Sequence, residues 1–399
     1  MRTLFYILIS AALFIGCQNK HDDFGVKTEL DYCVQQANKT IALIPNDSLI
    51  PRSISDSKIN WDYVGKTDWT SGFWPGILWY IYQYTGNDSF KLKAEMATKE
   101  LTSDAYMPSF DHDLGFMLYN SFGNGYRLTK NSTYKKVLLA AADSLATLFN
   151  PKVGTILSWP SMVKKMNWPH NTIIDNMMNL ELLFWAAKNG GGQRLYNIAV
   201  THAETTMKNQ FRPDYSNYHV VVYDTTTGQV IKRITHQGYS DSSMWARGQS
   251  WAIYGFTMVY RETHEQKFLD FAQKVADVYL QRLPKDLIPY WDFNAPNIPN
   301  APRDASAAAV TASALLELSI YVGDKKTAEN YFNKALGMLK ELSSAQYQCR
   351  EKNDAFLLHS TGNMPIQGEI DVSIIYADYY YLEGLLRLKE IESGKKYFE

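Results

Sequence analysis

Apolar residues recur along this chain at the three- and four-residue intervals of helices, and the helices they predict alternate between two kinds. The spacing predicts helices over 27–44, 70–85, 88–102, 113–128, 131–149, 172–188, 193–211, 242–263, 265–283, 304–322, 324–344 and 370–392. They pair off. The first of each pair is apolar nearly all round, a brief polar turn follows, and the second carries Lys and Glu along one face. The turns fall at 84–87, 129–131, 189–192, 261–263 and 323–325, and an aromatic opens each second helix: Phe90, Tyr134, Tyr196, Phe268 and Tyr331. This is an internal repeat of a helical hairpin. Helices apolar all round belong inside and amphipathic ones outside. Six hairpins therefore predict an all-α fold, an (α/α)6 barrel. No Pro/Ser-rich linker divides residues 27–399, which predicts one domain. Strand-like alternation is confined to short connections at 219–223 and 230–234, with 225–228 as a hairpin turn.

The loops entering the inner helices carry the unusual residues, at 68–74, 112–113, 168–171, 238–243, 302–306 and 359–362. In such a barrel these ends gather at one mouth, so positions almost 300 residues apart would line one pocket.

Two aspartates stand out because carboxylates are rarely buried without a partner or a task. Asp113 precedes an apolar helix. It reads either as an N-cap or as part of an acidic, hydrogen-bonding cluster with Asp111 and His112. Asp175 lies between Ile173-Ile174 and Met177-Met178, with Asn179 one turn on and on the same helix face. Asp and Asn disfavour helix interiors, so on an inner helix they imply a polar cavity. A carboxyl in apolar surroundings has a raised pKa, as a general acid requires. Arg247 and Trp251, at i and i+4, share a third face. The guanidinium suits bidentate binding of a carboxylate, or pairing with an inner-helix Asp, and the indole suits stacking.

Composition narrows the class. The chain is 46% hydrophobic and 14% aromatic, which excludes a disordered protein and suits ring stacking on sugar faces. A formal charge of −1 gives no field to attract nucleic acid or anionic lipid. The eight His show no metal-ligand spacing, and CxxC, HExxH, GxGxxG, Walker A and GxSxG are missing, so neither metal nor cofactor is expected. Arg2, an apolar run over 4–15 and the box ending in Cys17 read as a lipoprotein signal over 1–17, followed by a tether over 18–26. Lipidation of Cys17 would place the protein in the periplasm or on a membrane, through the anchor alone. Cys33 and Cys349 remain and make no disulfide framework, although they could pair.

Five segments taken together are specific: Trp69-Thr-Ser-Gly-Phe-Trp-Pro-Gly76, His112-Asp-Leu-Gly-Phe116, Asp175-Asn-Met-Met-Asn179, Thr235-His-Gln-Gly-Tyr239 and Trp245-Ala-Arg-Gly-Gln-Ser-Trp251. In order and across residues 60–390, they resemble the unsaturated glucuronyl hydrolases, glycoside hydrolase family 88. The resemblance implies the barrel, no cofactor, a monomer or weak dimer, and an unusual glycosidase reaction. Polysaccharide lyases leave a C4=C5 double bond in a non-reducing uronic acid; these enzymes hydrate that vinyl ether, and the hemiketal opens to release the next sugar. The carboxylate-separation rule for retaining and inverting glycosidases does not apply to a hydration. By motif position, Asp175 matches the general acid/base and Asp113 the second essential carboxylate. His219, Thr235, Gln237, Arg247 and Trp251 match substrate contacts, Trp69 and Trp74 would wall the pocket, and His112 and Ser360 would border it. Some relatives read a 6-sulfate with serines and a lysine before the last inner helix. Here that segment, 359–369, keeps hydroxyls but has no Lys. The competing readings are an unsaturated rhamnogalacturonyl hydrolase on pectin fragments, a glycan-binding lipoprotein without catalysis, and an epimerase, which would want paired pocket histidines.

Overall fold

The computed structural model describes residues 24–394 apart from 47, 56 and 57. The leader, Cys17 and residues 18–23 of the tether lie outside the described residues. Six inner elements form a closed ring. They are α2 (Phe73–Thr85), a π-helical segment (Gly115–Gly123) running into α4 (Asn124–Thr129), α7 (Asn176–Ala186), α9 (Ala246–Thr263), α11 (Ala305–Tyr321) and α13 (Ile375–Glu392). Each touches the next, and α13 returns to α2. Outside them lie α3 (Asp88–Glu100), α5 (Ser132–Ala146), α8 (Gln193–Asn209), α10 (Gln266–Arg282) and α12 (Lys325–Leu342). The sixth outer helix, α1 (Val26–Leu43), packs on α13 and α2, so the two ends of the described chain make the last pair. A short α6 (Pro160–Lys165) lies in a loop.

Burial follows the two helix kinds. Every position from Ala305 to Leu318 of α11 and from Ala246 to Val259 of α9 is buried, whereas α12 buries one stripe: Tyr331, Ala335, Leu336, Met338, Leu339 and Leu342. The polar turns act as caps. Asn87, Asn131 and Asp324 accept backbone N–H bonds from Ser89, Thr133 and Thr327 at 2.8–2.9 Å.

Small sheets dress the mouth. β1 (Ile50–Ile54) pairs with β2 (Asp62–Val64) and with β8 (Ser373–Ile374), and β3 (Phe149–Asn150) pairs with β4 (Thr155–Ile156). The third sheet is antiparallel: β5 (His170–Ile173), β6 (Val220–Tyr223) and β7 (Val230–Ile234). The strands expected at 219–223 and 230–234 are β6 and β7. The helix expected over 172–188 begins later, because Thr172 and Ile173 pair with Val221 and Val220 instead. Cys33 and Cys349 are both free and buried, so the pairing left open by the sequence does not form. Among the described residues, no helix is long and apolar enough to cross a membrane.

Candidate active site

Asp113 and Asp175 enter the same end of the ring on successive inner elements. Neither side chain caps its helix: Asp113 precedes the π-helical segment, whose N-cap is Leu114, and Asp175, the N-cap residue of α7, makes no side-chain capping bond. The sheet sets Asp175. β5 leads straight into it, the Ile174 N–H bonds to the carbonyl of His219 at 3.1 Å, and His219 Nδ1 then lies 3.4 Å from Asp175 Oδ1. Asn179, one turn further on, reaches the other aspartate. Its Oδ1 accepts the Phe116 N–H at 2.8 Å, and its Nδ2 lies 3.4 Å from both Asp113 Oδ1 and His112 Nδ1. This contact depends on Gly115. A methyl there would sit 2.5 Å from Asn179 Oδ1 and 2.6 Å from its Cα.

The electrostatics suit acid catalysis. Burial pushes the Asp175 carboxyl up to about 7; the positive charge of Arg247 and the nearby Trp251 indole N–H pull it only partly back. Asp113 is held well above the usual carboxylate range by burial and then by the charges of Asp111 and Asp175, with Asn179 opposing. Asp111 is raised to about 7 by burial. Burial lowers His112 to about 3 and His219 well below its ordinary value, so both rings are neutral at pH 7. His112 Nε2, Asp175 Oδ1, both His219 nitrogens and Trp251 Nε1 are buried without hydrogen-bond partners in the protein. Such atoms are costly to bury, and together they form a polar surface made for a ligand. Asp111, His112 and Asp113 bring three atoms of metal-ligand type within 4.8 Å of one another.

The other expected residues divide. Trp69 stands at the mouth against Phe73, Phe116 and Tyr376, with ring centroids 5.1–5.8 Å apart. Trp74 does not wall the pocket. Phe73 takes the inward position, and Trp74, about 100° further round the helix, packs outward with Ile41, Ile44 and Ala97 from the outer helices. Thr235 shapes its own loop, bonding through N–H to Asp241 and through Oγ1 to the Gly238 N–H, both at 2.8 Å. Gln237 reaches the Gly362 carbonyl at 3.4 Å, and its side chain lies close to His219 without a hydrogen bond. Ser360 is wholly buried, and its backbone pairs with Val372.

Arg247 corrects an expectation. Its Nη1 binds Asp304 Oδ2 at 2.7 Å and the Thr361 carbonyl at 2.5 Å, while Nη2 takes the Gly362 carbonyl. The fork is committed to the protein, so pairing with an Asp at the head of an inner helix, the alternative, is the arrangement found. What Arg247 gives the site is charge and a fixed 361–362 loop.

Three rings were missed by sequence reasoning. Trp159 lies 5.8 Å from His219 and 6.5 Å from His112; His236 lies 5.3 Å from Trp159; Trp245 lies 4.5 Å from His219. Trp159 precedes Pro160 in a loop outside the hairpin repeat, and that break in the pattern was the available signal.

The family profile described as Glycosyl Hydrolase Family 88 matches residues 46–393. An unsaturated glucuronyl hydrolase of Formosa agariphila is 43% identical over 98% of this chain and 99% of its own. One of Bacillus sp. strain GL1 is 34% identical over 86% and 92%. Among solved structures, an unsaturated glucuronyl hydrolase specific for heparin superposes with a TM-score of 0.88 at 43% identity, covering 93% of this chain and 98% of that one. With its ring of hairpins and its paired buried aspartates, the chain belongs to glycosyl hydrolase family 88.

Proposed function

We propose that this chain removes the non-reducing-end 4,5-unsaturated glucuronic acid from lyase-generated glycosaminoglycan oligosaccharides by hydrating the C4=C5 bond. The observation that carries the reading is Asp175: a buried carboxyl with its pKa near 7, beside a second buried carboxyl and two neutral histidines. That the Formosa and Bacillus relatives are unsaturated glucuronyl hydrolases favours it over the pectin reading.

In this reading Asp175 gives its proton to C4, and positive charge develops at C5 and the ring oxygen. The carbonyl oxygen of the Asp113 carboxyl, oriented by Asn179, faces that charge and stabilises it as a dipole. Asp175, now a carboxylate, takes a proton from water as the oxygen bonds to C5. The C5–O5 bond of the hemiketal then breaks to a ketone, and the hemiacetal at C1 expels the next sugar. One water is consumed and Asp175 ends protonated. Neutral His219 and Trp251 offer N–H donors to the ring.

Two observations support heparin as the parent polysaccharide. The segment 359–369 has no Lys or Arg to meet a 6-sulfate, and the superposed structure at 43% identity is described as specific for heparin. The reading is that unsaturated heparin disaccharides turn over faster than chondroitin 6-sulfate ones. The test follows alkene absorbance over lyase-generated disaccharides of defined sulfation and over unsaturated rhamnogalacturonan. Faster loss with the heparin set is expected; faster loss with rhamnogalacturonan overturns the proposal. Export through residues 1–17 would put the enzyme where extracellular lyase products arrive.

A further inference from the structure

The ring encloses a cavity of about 540 Å³ that runs from Gly115, Phe116 and Met178, next to the layer of Asp113 and Asp175, down to the C-terminal ends of the inner helices at Lys130, Asn189, Arg261 and Arg387. At its upper end Phe116 and Tyr380, which line it, each pack on Trp251, with centroids 5.3 and 5.5 Å apart. Its walls are rings, including Tyr119, Tyr126, Trp185 and Tyr379. Its mouth is polar, with Arg127, Lys130, Asn189 and Glu262.

Each buried charge at this end already has a partner of opposite sign. Arg261 pairs with Glu181, with Glu317 at 2.9 Å and with Glu262 at 3.1 Å. Arg387 pairs with Glu317 at 3.1 Å and Glu383 at 3.5 Å. Glu383 also accepts from the hydroxyls of Tyr80 and Tyr254 at 2.9 and 3.1 Å. A charged ligand would have to break such pairs, at several kcal/mol each in a buried setting. An uncharged ligand rich in hydroxyls would not, because a hydroxyl can donate to a paired carboxylate and accept from a paired guanidinium. Asn120 lines this space, and its Nδ2 is buried without a partner in the protein. Ring faces above fixed donors and acceptors, in a space within the range of about 300–1,000 Å³ for ligand pockets, fit a small saccharide.

We infer that this lower cavity is a second carbohydrate site, separate from the catalytic mouth, for a neutral mono- or disaccharide. The test titrates the full-length protein with lactose and with N-acetyl-D-glucosamine, by calorimetry and saturation-transfer NMR. One saturable site with Kd below about 10 mM is expected. Asn120→Leu, which removes the unpartnered donor, and Asn189→Trp, which narrows the mouth, should each weaken it at least about tenfold. Asn189 lies at the rim, so its variant keeps the test valid if Asn120→Leu fails to fold. The proposal is overturned by the absence of saturable binding. It is equally overturned by binding that neither folded variant weakens, which would place the sugar elsewhere, or by preference for tetramethylammonium or acetate over both sugars.

Discussion

Asp175 owes its chemistry to what surrounds it. Leaving water raises its pKa to about 7, and the Arg247 charge keeps it from rising further. A general acid must be protonated, so kcat/KM should fall about tenfold per pH unit once the pH exceeds roughly 7. His112 and His219 are neutral throughout that range and add no limb there. A pH–rate profile flat to pH 9 would remove Asp175 from the acid role. The sequence betrayed this residue because an aspartate between Ile and Met on an inner helix has no cheap explanation. Arg247 was less legible. Its spacing with Trp251 placed it on an inward face, but nothing local announced that Asp304 and two carbonyls, 57 to 115 positions away, would take its fork. Arg247→Ala leaves Asp304 buried and unpaired, and should cost about 3–5 kcal/mol in denaturant unfolding, with Arg247→Lys intermediate. An unfolding midpoint unchanged in the Ala variant would show the pair to be unimportant.

At the level of elements, two neighbouring pieces of backbone bring the aspartates into one site. β5 and β6 lay His219 beside Asp175, and the opening of the π-helical segment lets Asn179 reach Asp113. The second depends on close approach at Gly115. Gly115→Ala should lower stability by about 1–3 kcal/mol and kcat/KM at least about tenfold, because Asn179 must withdraw. Wild-type kinetics in a folded Gly115→Ala protein would mean that Asn179 does not orient Asp113. Element boundaries were where the sequence was hardest to read. Apolar residues at 172–174 fit a helix or a buried strand alike, and the partner that decides, Val220–Tyr223, lies nearly fifty residues on. Trp74 failed for a related reason. Phe73 and Trp74 are equally apolar, and only the ring's curvature decides which of them faces in.

For the whole molecule, the alternation of all-apolar and one-faced helices was enough to predict a ring of hairpins, because a helix without a polar face must be surrounded. That ring explains why two carboxylates on consecutive inner elements meet, and why α1 closes against α13. The loops between repeats, where Trp159 and His236 lie, obey no such period and were read least well. The central claim is that Asp175 protonates an alkene carbon. It is tested most directly by following the ultraviolet absorbance of an unsaturated glucuronyl disaccharide with wild-type and Asp175→Asn protein at pH 6. The variant should keep the wild-type circular dichroism and melting profile while alkene loss slows by about 10²-fold or more. Alkene loss at near wild-type rate in the folded variant would contradict it.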